Sequence, residues 1–276
     1  MLPSTLKTEP ERSGDPLFGL LVGCYLALLA TAPVVYAAVE LGVRDGGALY
    51  GTVLVTLTVV AGSGWWAAGR LDGLAARLGA TRFRWALGLL GVVYAFAGLY
   101  SLEVTGVAGV LGMFFGMGAM SVGGALGVMA RTRYTDTVLA DSERSCEFRA
   151  GWPAAARRRL LLLAIPFWLA GAVGFVSVYV VPDSWPLTFV QLLFPVGIAV
   201  FVQSEPREYA ITAEGIEQRL PVARRLLPWT RYTGYSRTED ALVVHRPRWF
   251  DGRFALSDLD DPDAVEAALA SHLPAA

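Results

Sequence analysis

The stretch "SEPREYAITAEGIEQRL", residues 204–220, marks the point where the chain changes from apolar to charged and alternating. Before it, long apolar runs dominate. From Glu208 onward, polar and apolar residues alternate with a period of two, which is typical of half-buried β-strands. The segment AEG at 213–215 predicts a turn, because glycine readily adopts the positive φ that many turns need. The stretch therefore predicts a boundary between a membrane part and a β-rich tail.

The composition of the remaining chain indicates a polytopic membrane protein. Of 276 residues, 54% are hydrophobic and only 17% are charged, whereas ordinary globular chains carry about 25% charged residues. A helix needs about 20 apolar residues to cross roughly 30 Å of hydrocarbon. The apolar runs predict six transmembrane helices, at residues 17–39, 48–68, 85–102, 104–130, 160–181 and 185–202.

These spans divide the chain into an N-terminal tail (1–16), a membrane domain (17–204) and a C-terminal domain (205–276). The fold class is therefore a membrane all-α bundle followed by a small α+β domain. Every lysine and arginine except Arg44 lies in the two termini or in the loops after the second and fourth spans. Because basic loops stay in the cytoplasm, we expect both termini to be cytoplasmic and the protein to lie in the cell membrane.

The sequence of the C-terminal domain predicts five or six short strands and a closing helix. After "REYAIT" and "IEQRL", the segments "RRLLPW", "TRYTGYS", "DALVVHR" and "GRFALS" predict further strands. Asp261 is a favourable N-cap and Pro262 fits the first helical position. The apolar residues of this helix share one face at helical spacing, namely Val265, Ala268, Leu269 and Leu273.

This layout resembles the prokaryotic pleckstrin-homology-like domains that occur beside membrane helices. The resemblance is carried by "ITAEGI" (211–216), "LLPWTRYTGY" (226–235), "EDALVVH" (239–245) and the final helix, with Trp229 at the position of the family's tryptophan. It covers residues 205–273 and implies a partial β-barrel that docks partners or oligomerises. Lipid headgroup binding is not carried over from the family, because acidic residues outnumber arginines in this tail.

Three residues of the tail are candidate contacts for a partner or for lipid: Arg224, Arg225 and Trp229. Arg224 and Arg225 could face anionic lipid. The alternative is that they are solvated charges that discourage edge-to-edge strand pairing. The formal net charge of −1 gives no indication of a nucleic-acid partner.

The fourth span is rich in glycine. Its pairs Gly112–Gly116 and Gly123–Gly127 have the four-residue spacing that lets helix backbones approach closely. We expect this helix to lie at the centre of the bundle, and a contact between two copies of the chain is the alternative.

The sequence favours a non-enzymatic scaffold, assembly or regulatory protein that sits in the bilayer and docks a protein partner through its tail. It shows no nucleophile, nucleotide-binding or metalloprotease motif, so we predict no catalytic residues, cofactor or metal site. Cys24 and Cys146 are expected to be free thiols. The alternative is a small transporter or transporter half, because residues 69–85 weakly resemble a loop of major-facilitator transporters. The interiors of the predicted spans hold no Asp, Glu, Lys, Arg or His, which argues against proton-coupled transport.

Overall fold

A computed structural model describes residues 15–180, 190, 193–203, 205–247 and 250–276. The chain forms two compact units, Met1–Ala140 and Asp141–Ala276. The first unit is helical. Its helices are α1 (Pro16–Glu40), α2 (Gly46–Gly69), α3 (Leu74–Ala80), α4 (Ala86–Tyr100), α5 (Leu102–Thr105) and α6 (Val107–Val138), with a 3₁₀ turn at Arg82–Trp85.

The second unit combines a helical hairpin with two sheets. In chain order it contains β1 (Arg144–Ala150), α7 (Ala154–Val180), α8 (Leu193–Gln203), β2 (Arg207–Thr212), β3 (Gly215–Leu220), β4 (Ala223–Pro228), β5 (Gly234–Arg237), β6 (Ala241–His245), β7 (Gly252–Ala255) and α9 (Pro262–Ala270), with 3₁₀ turns at Trp229–Arg231 and Leu256–Asp258.

In the described part of the chain, five helices are long and apolar enough to cross a membrane: Pro16–Glu40, Gly46–Gly69, Arg82–Tyr100, Val107–Val138 and Ala154–Ser177. They correspond to the first five predicted spans and indicate a multi-pass membrane protein. The sixth predicted span, 185–202, lies partly outside the described residues. Its described portion ends in α8, whose 11 residues extend about 16 Å at 1.5 Å per residue.

Glycines allow the helices of the first unit to pack closely. A Cβ on Gly23 would lie 2.2 Å from the carbonyl oxygen of Ala61, so α1 and α2 touch backbone to backbone there. On α6, a Cβ on Gly116 would lie 2.3 Å from the backbone nitrogen of Ala95 in α4. Such small-residue contacts are the usual way in which helices associate in lipid.

Segment 131–159 differs from the long loop that the sequence predicts. Helix α6 continues to Val138, and Arg144–Ala150 forms strand β1. Strand β1 pairs antiparallel with β2, with Ala150 opposite Arg207 and Phe148 opposite Tyr209. The C-terminal sheet therefore contains a strand that precedes the fifth span, outside the predicted domain 205–276.

Among the described residues, seven antiparallel strands form two open sheets, in the orders β1-β2-β3-β4 and β5-β6-β7. Helix α9 begins as predicted, because the Asp261 side chain accepts a hydrogen bond of 2.9 Å from the backbone nitrogen of Ala264 and Pro262 follows it. Val265 and Leu269 are 2% and 0% exposed, and each contributes about 2 kcal/mol through its burial.

One apolar core joins both sheets and α9. It includes Phe148, Ile211, Ile216, Leu227, Leu242, Val244, Phe254, Val265, Leu269 and Leu273, with Ala268 packed against it. The predicted apolar face of the final helix is therefore confirmed. The inward-facing residues alternate along each strand, and this alternation determines which polar side chains enter the space between the sheets.

Candidate functional site

Four arginine side chains, those of Arg207, Arg225, Arg246 and Arg253, line a cleft of about 330 Å³ in the second unit. We call it the arginine cleft and define it by Arg207, Arg225 and Arg246 together with Tyr209, Gln218 and Tyr232. Ile216, Leu227 and Phe254 from the shared core also line it. The cleft therefore combines an apolar floor with a small number of polar groups, as small-molecule sites commonly do.

The strand register places these residues on one face of the sheet. Phe148, Tyr209, Gln218 and Arg225 lie directly opposite one another across β1, β2, β3 and β4. Because side chains alternate between the two faces of a strand, Arg207 lies on the same face as Tyr209. Arg246 follows β6 directly and completes the cleft from the other sheet.

The Arg225 side chain is partly buried in this cleft. Its Nε atom is buried and has no hydrogen-bond partner in the described part of the chain. Burial lowers the pKa of Arg225, and the positive charges of Arg246, Arg231 and Arg207 lower it further. A guanidinium in such surroundings favours a negatively charged partner.

Arg246 and Tyr232 contact each other within the cleft. The Arg246 guanidinium donates a hydrogen bond of 3.3 Å to the Tyr232 hydroxyl and its central carbon lies 5.1 Å from the ring centroid. The Nε of Arg246 is also buried without a hydrogen-bond partner among the described residues. Burial is the main cause that raises the pKa of Tyr232, so this phenol remains a neutral donor.

A carboxylate, Asp251, also lines the cleft but is engaged elsewhere. Its Oδ1 accepts a hydrogen bond of 3.1 Å from the backbone nitrogen of Arg246, and its Oδ2 lies 3.3 Å from Nδ1 of His245. The ion pairs formed among the described residues do not include Arg225.

A second cleft, of about 480 Å³, leads from this region toward helix α7. It is lined by Trp152, Ala156, Arg159, Phe250, Asp251 and Arg253. Four of these residues also line the arginine cleft, namely Trp152, Phe250, Asp251 and Arg253. The two clefts therefore adjoin, and the second one contacts α7 at Ala156 and Arg159.

The structure places the three predicted contact residues in three different settings. Arg224 lies on the sheet face opposite the arginine cleft and donates a hydrogen bond of 2.6 Å to Glu217. Arg225 lies in the cleft. The Trp229 side chain is fixed by contacts within the chain. Its Nε1 donates to the backbone oxygens of Thr212 and Ala213, each at 3.1 Å, and its ring stacks on His272.

The predicted packing glycines lie on the side of α6 that faces α4 and the turn before it. A Cβ on Gly112 would lie 3.1 Å from Gly98, and one on Gly123 would lie 2.7 Å from the backbone of Leu87. One on Gly127 would lie 2.9 Å from the carbonyl oxygen of Arg84. Together with Gly116, these residues form contacts within the chain.

The structure reveals an ion cluster on the other face of the first sheet. The Glu217 side chain is 0% exposed and is paired with Arg144, Arg219 and Arg224. Arg219 also lies 2.9 Å from Glu147, and this hydrogen bond is the largest cause that lowers the pKa of Glu147. The sequence did not indicate this cluster, because Arg144 and Glu147 join it only through the pairing of β1 with β2.

Ser236, His245 and Asp251 form a hydrogen-bonded chain that the sequence did not indicate. The Ser236 hydroxyl lies 2.8 Å from Nε2 of His245, and Nδ1 of His245 lies 3.3 Å from Asp251. This order of groups is that of a nucleophile, a base and an orienting carboxylate. Neither of the two clefts described above is lined by Ser236 or His245.

Cys24 and Cys146 are both free cysteines, as predicted. In the described part of the chain, no group of three or more histidine, cysteine, aspartate or glutamate residues is arranged to hold a metal ion. Comparison with models of protein families, with curated proteins and with solved structures finds no match to this chain.

Proposed function

We propose that this protein is a non-enzymatic scaffold, assembly or regulatory protein of the cell membrane that docks a partner through its extramembrane sheets. The observation that carries the proposal is the pairing of β1 with β2 across the helical hairpin. Strand β1 precedes α7 and β2 follows α8, yet Ala150 pairs with Arg207. A domain built from both flanks of a membrane hairpin is held at the membrane surface at two points.

The packing of the hairpin supports a stiff attachment. A Cβ on Gly197 of α8 would lie 2.2 Å from the ring of Trp168 in α7, and one on Gly171 would lie 2.6 Å from Phe194. The Trp168 ring also lies 5.7 Å from that of Phe201. Close packing of this kind leaves little freedom for the two helices to separate.

We further propose that the sheets and α9 form a pleckstrin-homology-like domain. The order of elements supports this resemblance: an antiparallel sheet of four strands, then one of three strands, then a C-terminal helix. In this proposal the first strand comes from residues 144–150 and the hairpin is inserted between the first and second strands.

The strand pairing also supports the proposed orientation. Because β1 and β2 are neighbours in one sheet, the segment between them begins and ends on the same side of the membrane. A crossing by α7 therefore requires a return crossing, which agrees with an even number of spans. With the basic residues confined to the termini and alternate loops, we place both termini and the sheets in the cytoplasm.

Site-specific photo-crosslinking in cells tests the docking proposal. We would place a photoreactive phenylalanine at Val222, which is 88% exposed, and at the exposed turn residue Glu214. A position on α2, Leu54, which is 46% exposed, reports on crosslinking within the membrane. We expect the same protein adduct from the sheet positions and not from Leu54.

A variant with a disrupted sheet is the matched control. Gly215 has φ of +152° and a Cβ there would lie 2.2 Å from the carbonyl oxygen of Leu227, so Gly215→Val should remove the adduct. If crosslinks form only at Leu54, or persist unchanged in Gly215→Val, docking through the sheets is wrong. Uptake assays would then test the alternative of a small transporter.

A further inference from the structure

Among the described residues that line the arginine cleft, arginines outnumber carboxylates. Arg207, Arg225, Arg246 and Arg253 line the cleft, and Asp251 is the acidic residue among its described lining residues. The Asp251 carboxylate contacts the backbone nitrogen of Arg246 and the His245 ring instead. Two buried Nε atoms, on Arg225 and Arg246, lack a hydrogen-bond partner in the described chain. Burying a charged donor without a partner is costly.

The donors in the cleft suit a compact oxyanion. A guanidinium presents its N–H groups as a planar fork that matches phosphate and carboxylate oxygens. The Tyr232 hydroxyl and the Gln218 amide add neutral hydrogen-bonding groups beside the arginines. Several guanidiniums facing one small cavity fit an anion with at least three oxygens and more than one negative charge better than they fit a single carboxylate.

The volume and surroundings of the cleft limit the ligand further. About 330 Å³ lies near the lower end of small-molecule sites. Arg207 donates a hydrogen bond of 3.2 Å to the carbonyl oxygen of Val202 in α8, and Trp152 lies just before α7. Phe250, 85% exposed, also lines the cleft. The site therefore adjoins the ends of both hairpin helices, where lipid phosphates lie.

We propose that the arginine cleft is a binding site for a phosphate monoester or free phosphate. The shared chemistry is a phosphate dianion held by Arg207, Arg225 and Arg246. Its source is either the headgroup of an anionic lipid such as phosphatidic acid or a soluble phosphate. This site does not depend on protein docking, and the docking experiment could fail without affecting it.

The first test measures thermal unfolding of the intact protein in detergent while inorganic phosphate replaces chloride at constant ionic strength. We expect the melting temperature to rise with phosphate, because a ligand that binds only the folded state stabilises it. Arg225→Gln should weaken phosphate binding about tenfold or more, since it removes charge-assisted hydrogen bonds. Arg246→Gln should act in the same direction.

Arg149→Gln is the matched control. Arg149 lies on β1 near the same end of the sheet but is exposed, on the opposite face from Phe148. The variant removes the same charge and should leave phosphate binding unchanged. Without phosphate, Arg225→Gln should melt at the same or a higher temperature than the wild type, because the arginine is uncompensated. An arginine with a purely structural role would give a lower melting temperature.

The second arm compares nanodiscs of phosphatidylcholine alone with nanodiscs that also contain phosphatidic acid. Stabilisation by phosphatidic acid that Arg225→Gln abolishes, without an effect of inorganic phosphate, identifies the lipid as the source. A response to inorganic phosphate identifies a soluble ligand. The proposal is overturned if neither arm shows binding, or if Arg149→Gln and Arg225→Gln weaken binding equally, which would indicate general charge attraction only.

Discussion

Arg224 and Arg225 are adjacent in the chain but lie on opposite faces of strand β4. Arg224 reaches the buried carboxylate of Glu217, whereas Arg225 lines the arginine cleft with its Nε unpartnered by any described residue. The alternation of side chains along a strand separates the two. One arginine therefore contributes to the stability of the sheet, and the other is available to a ligand.

This separation predicts opposite effects on stability. Arg224→Gln removes a charge-assisted hydrogen bond to a carboxylate that is 0% exposed, although Arg144 and Arg219 still pair with it. We expect Arg224→Gln to lower the free energy of unfolding by about 1–2 kcal/mol. Arg225→Gln should not lower it. Thermal unfolding of both variants in phosphate-free detergent checks this, and equal losses would contradict the opposite-face assignment.

Packing of α6 against α4 predicts that its glycines differ in tolerance. A Cβ on Gly116 would lie 2.3 Å from the backbone nitrogen of Ala95, so Gly116→Val must force the helices apart. Overpacking typically costs about 1–3 kcal/mol. A Cβ on Gly124 meets nothing within 4 Å, so Gly124→Ala should be neutral or slightly stabilising. Melting temperatures of the two variants in detergent would distinguish them, and a tolerated Gly116→Val would refute the contact.

Cys146 should react slowly in the folded protein. Burial is the largest cause that raises the pKa of its thiol, and Asp261 and Glu147 raise it further. Because the thiolate is the reactive form, alkylation at neutral pH should be several-fold slower in the native state than after unfolding. A Cys24→Ser background isolates Cys146, and the rate of maleimide labelling measures the effect. Equal rates in both states would show that the thiol is not protected.

The phenols facing the arginine cleft predict a loss of stability at alkaline pH. Burial is the main cause that raises the pKa of Tyr209 and of Tyr232. Because the folded state raises these pKa values, their contribution to stability is complete below the ordinary tyrosine value of about 10. It is lost as the pH rises through the higher folded values.

Absorbance of the phenolate at alkaline pH measures this directly. The difference between the wild-type titration and that of Tyr209→Phe isolates Tyr209, and its midpoint should lie above about pH 10. Tyr232→Phe serves in the same way for the second residue. A midpoint at the ordinary tyrosine value would mean that water reaches the phenol freely.

The chain of Ser236, His245 and Asp251 should not act as a catalytic triad. The hydroxyl lies 2.8 Å from the imidazole, but the clefts beside Asp251 do not include Ser236. We expect no labelling of Ser236 by a fluorophosphonate probe under conditions that label a known serine hydrolase completely. Labelling that Ser236→Ala abolishes would make the protein an enzyme and would overturn the proposed function.

Much of the architecture could be predicted from residue patterns. Apolar runs of about 20 residues identified five of the spans, because the length of a helix in lipid follows from the thickness of the bilayer. The period of two after Glu208 identified strands, and Asp261 with Pro262 identified the start of α9. These features depend on neighbours in the sequence, so local chemistry suffices to recognise them.

Strand β1 and the arginine cleft required the tertiary structure. The segment "RSCEFRA" is short and charged, and it becomes a strand only because β2 lies beside it. Arg207 and Arg246 are far apart in the chain, and no local signal connects them. The net negative charge of the tail gave no indication of the cleft, because a net charge does not show which charged side chains lie on the same face of a sheet.

The sequence by itself determined that this is a multi-pass membrane protein with a β-rich tail, because hydropathy and strand periodicity are local properties. Only the tertiary structure decided that the sheet includes a strand from before the last helical hairpin. It alone separated Arg224 from Arg225, because the outcome depends on strand register. It also brought arginines from distant segments of the chain into one cleft, since contacts across a sheet arise only when distant segments pair.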